Sequence, residues 1–130
     1  MPMKKVLVVD DEVHIVHVVA IKLRNNGYEP IAAGNGEEAY DLACREIPDI
    51  IIADYQMPVM TGIELIEKLR ANDKTKNIPV ILLTARSFAV DENRMQQLRI
   101  SQCITKPFSP KELLRTIEDI VYQGQMVAQT

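Results

Sequence analysis

Ile50-Ile51-Ile52-Ala53-Asp54-Tyr55-Gln56-Met57-Pro58 is the stretch on which the fold turns. Its first four residues are apolar without alternation, and three of them are β-branched. A strand with one wet face would alternate. A continuous run of this kind fits a strand buried on both faces, as in a parallel sheet covered by helices. The run stops at a carboxylate, and Pro58 closes the segment that follows. Similar runs lie to either side: Val6-Leu7-Val8-Val9, Ile31-Ala32-Ala33, Val80-Ile81-Leu82-Leu83 and the shorter Cys103-Ile104.

Helical patterns separate these runs. Val13, Val16, Ala20 and Leu23 recur at helical spacing and stop at Asn26-Gly27, a C-terminal signal. Ala39, Leu42 and Ala43 mark a second helix, closed before Pro48, and Leu65, Ile66 and Leu69 a third. Leu113, Leu114, Ile117, Ile120 and Val121 make the last, opened by a Ser109 cap and Pro110 at its first position. Between Phe88 and Arg99 only Val90, Met95 and Leu98 form a thin stripe, which predicts a surface helix. Strand and helix thus alternate five times. The pattern predicts an α/β fold, an open doubly wound parallel sheet with right-handed crossovers and helices on both faces.

The bulk properties narrow the function classes. At 130 residues the chain makes one domain with one real core, read as residues 1–123 with 124–130 as a C-terminal tail or the start of a linker. The natural end of a stand-alone protein is preferred to a cut ahead of a further domain. Apolar runs of four or five residues fall far short of the roughly 20 that span a bilayer. No basic-then-apolar opening marks a secretory signal, so a cytoplasmic protein without membrane contact is expected. A formal net charge of −3 with acids and bases interspersed argues against direct nucleic-acid binding. Cys44 and Cys103 form no CxxC or Cys/His cluster, and each is read as a free, at least half-buried thiol.

Chemistry gathers where the strands end. The first ends in Asp10-Asp11, the third in Asp54, the fourth in Thr84 and the fifth just before Lys106. In a parallel sheet all these carboxyl ends share one edge, where ligands bind in open α/β folds. A single Asp after a strand is ordinarily a turn residue or helix cap, and Asp11 or Glu12 alone would be read as opening the first helix. Four strand ends with complementary groups are another matter. Three carboxylates in one place repel and shift one another's pKa values, and a hard divalent cation relieves that repulsion. Oxygen-only ligands favour Mg²⁺ or Mn²⁺ over zinc. Lys106 and Thr84 suit phosphoryl oxygens, and Asp54, at the centre, is the candidate nucleophile.

These residues, with Val8-Val9-Asp10-Asp11-Glu12, Asp54-Tyr55-Gln56-Met57-Pro58, Gly62, Thr84-Ala85 and Lys106-Pro107-Phe108, give a set that resembles the receiver domain of bacterial two-component response regulators, of the chemotaxis-regulator kind. The resemblance spans about residues 4 to 122. It implies a flavodoxin-like (βα)5 fold with strand order 2-1-3-4-5. It implies Asp54 as phosphoacceptor and Mg²⁺ held by Asp11, Asp54 and the backbone carbonyl of Gln56, with Asp10 helping through water. Mn²⁺ can substitute. Lys106, the Thr84 hydroxyl and the Ala85 N–H would hold the phosphoryl group, while Pro58, Gly62 and a cis Lys106-Pro107 bond would be structural. The donor would be a phosphohistidine on a sensor kinase or phosphotransfer protein. The domain would catalyse only its own phosphorylation and dephosphorylation, and its switched face would meet a downstream protein or a fused output domain. An unphosphorylated monomer that can dimerise on phosphorylation is expected.

Some positions depart from the family pattern. Cys103 stands where an aromatic residue commonly follows the threonine inward, so gating there should be weak. Arg99-Ile100-Ser101-Gln102 replaces a Gly-Ala-Asp-Asp-like turn, which removes acidic residues that build one subfamily's dimer. Gln56 and Arg86 occupy the two variable positions beside the site. His14 and His17 lack a third ligand and are read as helix surface. Two other classes compete. A haloacid-dehalogenase-like phosphatase needs an Asp two positions after its nucleophile, where this chain has Glu12 or Gln56. A docking module of the same fold that never needs phosphate is the other.

Overall fold

A computed structural model of the chain describes residues 3–85 and 91–129, with side chains through Tyr122. The elements are β1 (Lys4–Val9), α1 (Val13–Arg24), β2 (Tyr28–Ala33), α2 (Gly36–Glu46), β3 (Ile50–Asp54), α3 (Gly62–Ala71), β4 (Val80–Thr84), α4 (Glu92–Gln97), β5 (Ile100–Thr105) and α5 (Pro110–Gln129). The five strands pair in parallel in the order β2-β1-β3-β4-β5, the flavodoxin-like doubly wound topology. Phe88, Val90 and Arg86 lie outside the described residues. The segment from 124 to 129 is the continuation of α5.

The unbroken apolar runs are central strands, and successive side chains feed opposite layers. Leu7, Val9, Ile51, Ala53, Val80 and Leu82 join Ala39, Ala43, Leu65, Ile66 and Leu69 in one cluster, under α2 and α3. Val6, Val8, Ile50, Ile52, Ile81 and Leu83 join Val19, Leu23, Leu113 and Ile117 in the other, under α1 and α5. Each fully buried Ile or Leu stabilises the fold by about 1.5–3 kcal/mol. Substitutions in β3 therefore cost more than anywhere on the edges.

Local chemistry sets the helix starts. The Asn35 side chain accepts from the Glu38 N–H at 2.9 Å, and Asp91 from the Arg94 N–H at 2.8 Å. Thr61 and Glu64 form a reciprocal capping box, both bonds 3.1 Å. Ser109 Oγ accepts from the Glu112 N–H at 3.4 Å, as its place before Pro110 predicts. Gly27, past the end of α1, has φ +86°, a conformation glycine adopts without strain.

Two sequence expectations need correction. Val13 is 80% exposed, and the buried face of α1 centres on Val19 and Leu23 with Ile15 and Val16 partly buried. Val19 falls at helical spacing from both Val16 and Leu23, whereas Val13 sits at the open end beside the strand edge. β5 is longer than Cys103-Ile104, because an edge strand needs apolar residues on one side only. α4 is the surface helix that the thin stripe predicts, with Met95 packed against the α2–α3 cluster and Leu98 buried at its C-terminal end.

Polar straps hold α4 in place. Arg94 pairs with Glu67 of α3. Arg70, also on α3, donates through Nε to the Leu98 carbonyl at 2.7 Å and through its terminal nitrogens to Ile78 (2.7 Å), Lys76 (2.9 Å) and Arg99 (3.2 Å). One planar guanidinium therefore ties the end of α4 to the entry of β4. Arg99, at φ +54° where the family pattern has glycine, returns a bond to the Lys76 carbonyl at 2.9 Å.

Candidate functional site

Backbone hydrogen bonds between neighbouring strand ends build the edge. The Asp10 N–H donates to Ala33 O at 3.3 Å, Tyr55 to Leu83 O at 2.7 Å and Lys106 to Thr84 O at 2.7 Å. Behind Asp54 the Gly62 N–H donates to Tyr55 O at 2.9 Å. A Cβ on Gly62 would lie 2.4 Å from the Asp54 carbonyl oxygen, so glycine is required by close approach. The Lys106-Pro107 bond is cis.

Asp11, Asp54, Gln56, Pro58, Thr84, Ala85 and Lys106 line one open cleft of about 850 Å³. Asp10 lies at its back, its side chain fully buried. Its Oδ1 accepts from the Glu12 N–H at 3.0 Å, and its Oδ2 lies 2.9 Å from Lys106 Nζ. Lys106 also stands 3.3 Å from Asp54 Oδ1 and 3.3 Å from Glu12 Oε1. Burial works against its charge, yet the bond to Asp10 and the charges of Asp54 and Asp10 outweigh burial and raise its pKa.

Asp54 is pushed up to about 6. Burial is the largest cause and Asp10 the next, with Lys106 pulling the other way and Asp11 adding a smaller upward push. A carboxylate held above its ordinary range by burial and by neighbouring anions is stabilised in its charged form by an added cation. Ligand oxygens of Asp10, Asp11 and Asp54 lie within 4.8 Å of one another. Oxygen donors at that separation, with no His or Cys among them, fit a hard divalent ion such as Mg²⁺. The site residues of the sequence reading therefore converge. His14 is largely exposed and His17 exposed, and neither belongs to this carboxylate group.

Cys103 does not reach the cleft. It is partly buried against the α2–α3 layer, paired in register with Leu82, and burial raises its thiol pKa, which opposes a redox-sensing role. Cys44 is a second partly buried free thiol, 3.5 Å from Asn72 Nδ2. Glu12 is the site residue that sequence reasoning passed over. Its adjacency to Asp10-Asp11 was the one available signal, and the direction of its side chain was not in it.

A parallel sheet in this order, delivering carboxylates, a hydroxyl and an ammonium to one edge, defines a receiver-type signalling domain. The model of the response regulator receiver domain matches residues 6–118, and the chain belongs to that family, within two-component response regulators. The phosphate regulon transcriptional regulatory protein PhoB of Pseudomonas aeruginosa is 37% identical over 120 residues, covering 91% of this chain and 52% of that protein. The chain thus spans about half the length of the curated relatives it matches. Among solved structures, the chemotaxis protein CheY4 of Vibrio cholerae superposes with TM-score 0.84 at 35% identity, over 90% of this chain and 98% of that one. The response regulator TrrA of Thermotoga maritima, solved in complex with Mg(2+)-BeF, gives 0.79 at 33% identity, over 90% and 98%. No described helix is long and apolar enough to cross a membrane.

Proposed function

We propose that the chain stores a signal as an acyl phosphate on Asp54, received from a phosphohistidine of a sensor kinase or phosphotransfer protein. The observation that supports this most is the position of Asp54, a nearly buried carboxylate lining the open cleft beside Lys106 and the Asp10–Asp11 pair. An Asp54 oxygen attacks phosphorus, the P–N bond to the donor breaks, and the imidazole leaves with that electron pair. Lys106 turns its charge from the carboxylates to the phosphoryl oxygens. The Thr84 hydroxyl and the Ala85 N–H donate to them as well. Asp11, Asp54 and the Gln56 carbonyl, with Asp10 assisting, would hold Mg²⁺ or Mn²⁺, which when bound would supply charge neutralisation at those oxygens.

The added phosphoryl group brings roughly two negative charges. Drawing Thr84 inward biases the face of α4, β5 and α5, which meets a downstream protein or an output domain. The domain turns over no external substrate and acts only on its own aspartyl phosphate, as a cytoplasmic protein. Cys103, too small to follow Thr84, favours a second reading in which docking proceeds without phosphate. Under phosphorylating conditions, partner binding by Asp54→Asn at wild-type affinity would support it.

The test is intact mass after incubation with Mg²⁺ and acetyl phosphate. The expected result is one added phosphoryl group in the wild type, absent from Asp54→Asn and absent without the metal. No gain in the folded wild type would overturn the assignment.

A further inference from the structure

Glu12 has an environment that the phosphoryl-accepting chemistry does not account for. It occupies the N-cap of α1, yet its side chain makes no capping bond to the helix. Its Oε1 instead reaches Lys106 Nζ at 3.3 Å, while Oε2 lies 3.8 Å from His14 Nε2. An ammonium has three protons to give. Those of Lys106 are shared among Asp10, Asp54 and Glu12, at 2.9, 3.3 and 3.3 Å. A phosphoryl oxygen arriving at Asp54 has to take one of these places. Asp10 is fully buried and holds the shortest contact, whereas Glu12 is 48% exposed and has water to fall back on. Asp54 gives up its contact as its oxygen enters the acyl phosphate. Of the two partners that remain, Glu12 is the one able to release Lys106 to a further phosphoryl oxygen.

We infer that Glu12 is a positioning residue that holds Lys106 toward the rim of the cleft and so restrains the uptake of an anionic phosphoryl group, an inference that rests on Asp54 being the acceptor. The restraint acts through geometry. The carboxylate takes a donor that the incoming oxygens need, and it releases that donor only when they arrive.

Two substitutions separate geometry from charge. Glu12→Gln removes the charge and keeps the length. Glu12→Asp keeps the charge but is one methylene shorter, so it loses its reach to Lys106. The first readout is the rate of acetyl phosphate labelling of each variant in saturating Mg²⁺, by intact mass. The second is the rate at which an amine-reactive ester labels Lys106 in the metal-free protein, by peptide mass. Glu12→Asp, which loses the reach, should accelerate both readouts by about two- to five-fold, the range a half-exposed ion pair supports. Glu12→Gln, which keeps an acceptor oxygen at that reach, should accelerate them less. Acceleration by Gln with Asp matching the wild type would mean that charge alone matters, and it would overturn the inference. Slower phosphorylation in both variants, or unchanged Lys106 labelling, would overturn it as well. If the wild type gained no phosphoryl group while Lys106 labelling still rose in both variants, the acceptor assignment would fail and the hold on Lys106 would stand.

Discussion

Asp54 titrates near about 3.9 in an unfolded chain and is pushed up to about 6 in the fold. Between those values the folded state keeps a proton that the unfolded chain has lost. Its contribution is present in full below the unfolded value and is lost as pH rises through about 6. Asp54→Asn should therefore stabilise the metal-free protein at pH 8 by roughly 1–3 kcal/mol and leave it little changed near the unfolded value. Urea denaturation across that range checks this, and parallel pH profiles for the two proteins would contradict it. At Gly62 the neighbour of an added Cβ is main chain, 2.4 Å away, which cannot swing aside. Gly62→Ala should cost roughly 1–3 kcal/mol and slow phosphorylation of Asp54, because the loop beside the carboxylate must shift. Gly34→Ala, where an added Cβ meets nothing within 4 Å, serves as the control. Asp10, Asp11, Asp54, Thr84 and Lys106 were legible in the sequence because parallel strands carry their last residues to one edge. Glu12 was not, since no periodicity records that a helix-capping position is left unused and its side chain turned across the cleft.

Elements were readable in proportion to how far apolar burial alone specifies them. β1, β3 and β4 are buried on both faces and stood out as unbroken runs. β5 is an edge strand with exposed Ser101 and Gln102, and only its inner part showed. α4 was the least legible because its own pattern is thin, Met95 and Leu98 alone meeting the core, and much of its anchoring comes from Arg70 on another helix bonding to main-chain carbonyls. The same fact makes α4 sensitive at a distance. Burial and the charge of Arg99 lower the pKa of Arg70, yet it donates to four carbonyls. Arg70→Met should leave the helix packing of Leu65, Ile66 and Leu69 intact while releasing the α4–β5 turn. The expected loss is about 2 kcal/mol, with faster amide hydrogen exchange confined to residues 92–100 and to the segment around Lys76 and Ile78 that Arg70 also holds. Arg70→Lys should not restore protection, because a single ammonium cannot span carbonyls that a planar fork reaches together. Full protection in the lysine variant would show that charge, and not the fork, holds the turn.

Across the whole molecule the charge is unevenly placed. Asp10, Asp11, Asp54 and Glu12 against Lys106 leave three negative charges at one edge of the sheet, which equals the formal net charge of −3 of the entire chain. The remainder of the protein is balanced, so the field that a cation meets is concentrated at the cleft. Binding there stabilises the folded state by mass action, by about 2.7 kcal/mol at a free concentration one hundred times the dissociation constant. Mg²⁺ should therefore raise the melting temperature, and by more at pH 8 than at pH 5, because Asp54 carries its charge only above about 6. The gain should shrink in Asp54→Asn and should weaken as monovalent salt screens the edge. Thermal denaturation with calorimetric Mg²⁺ titration at both pH values measures each dependence separately. Equal stabilisation at pH 5 and pH 8, or an undiminished gain in Asp54→Asn, would mean that the ion binds away from the strand ends. The coupling between cleft and fold would then have to be sought elsewhere on the surface.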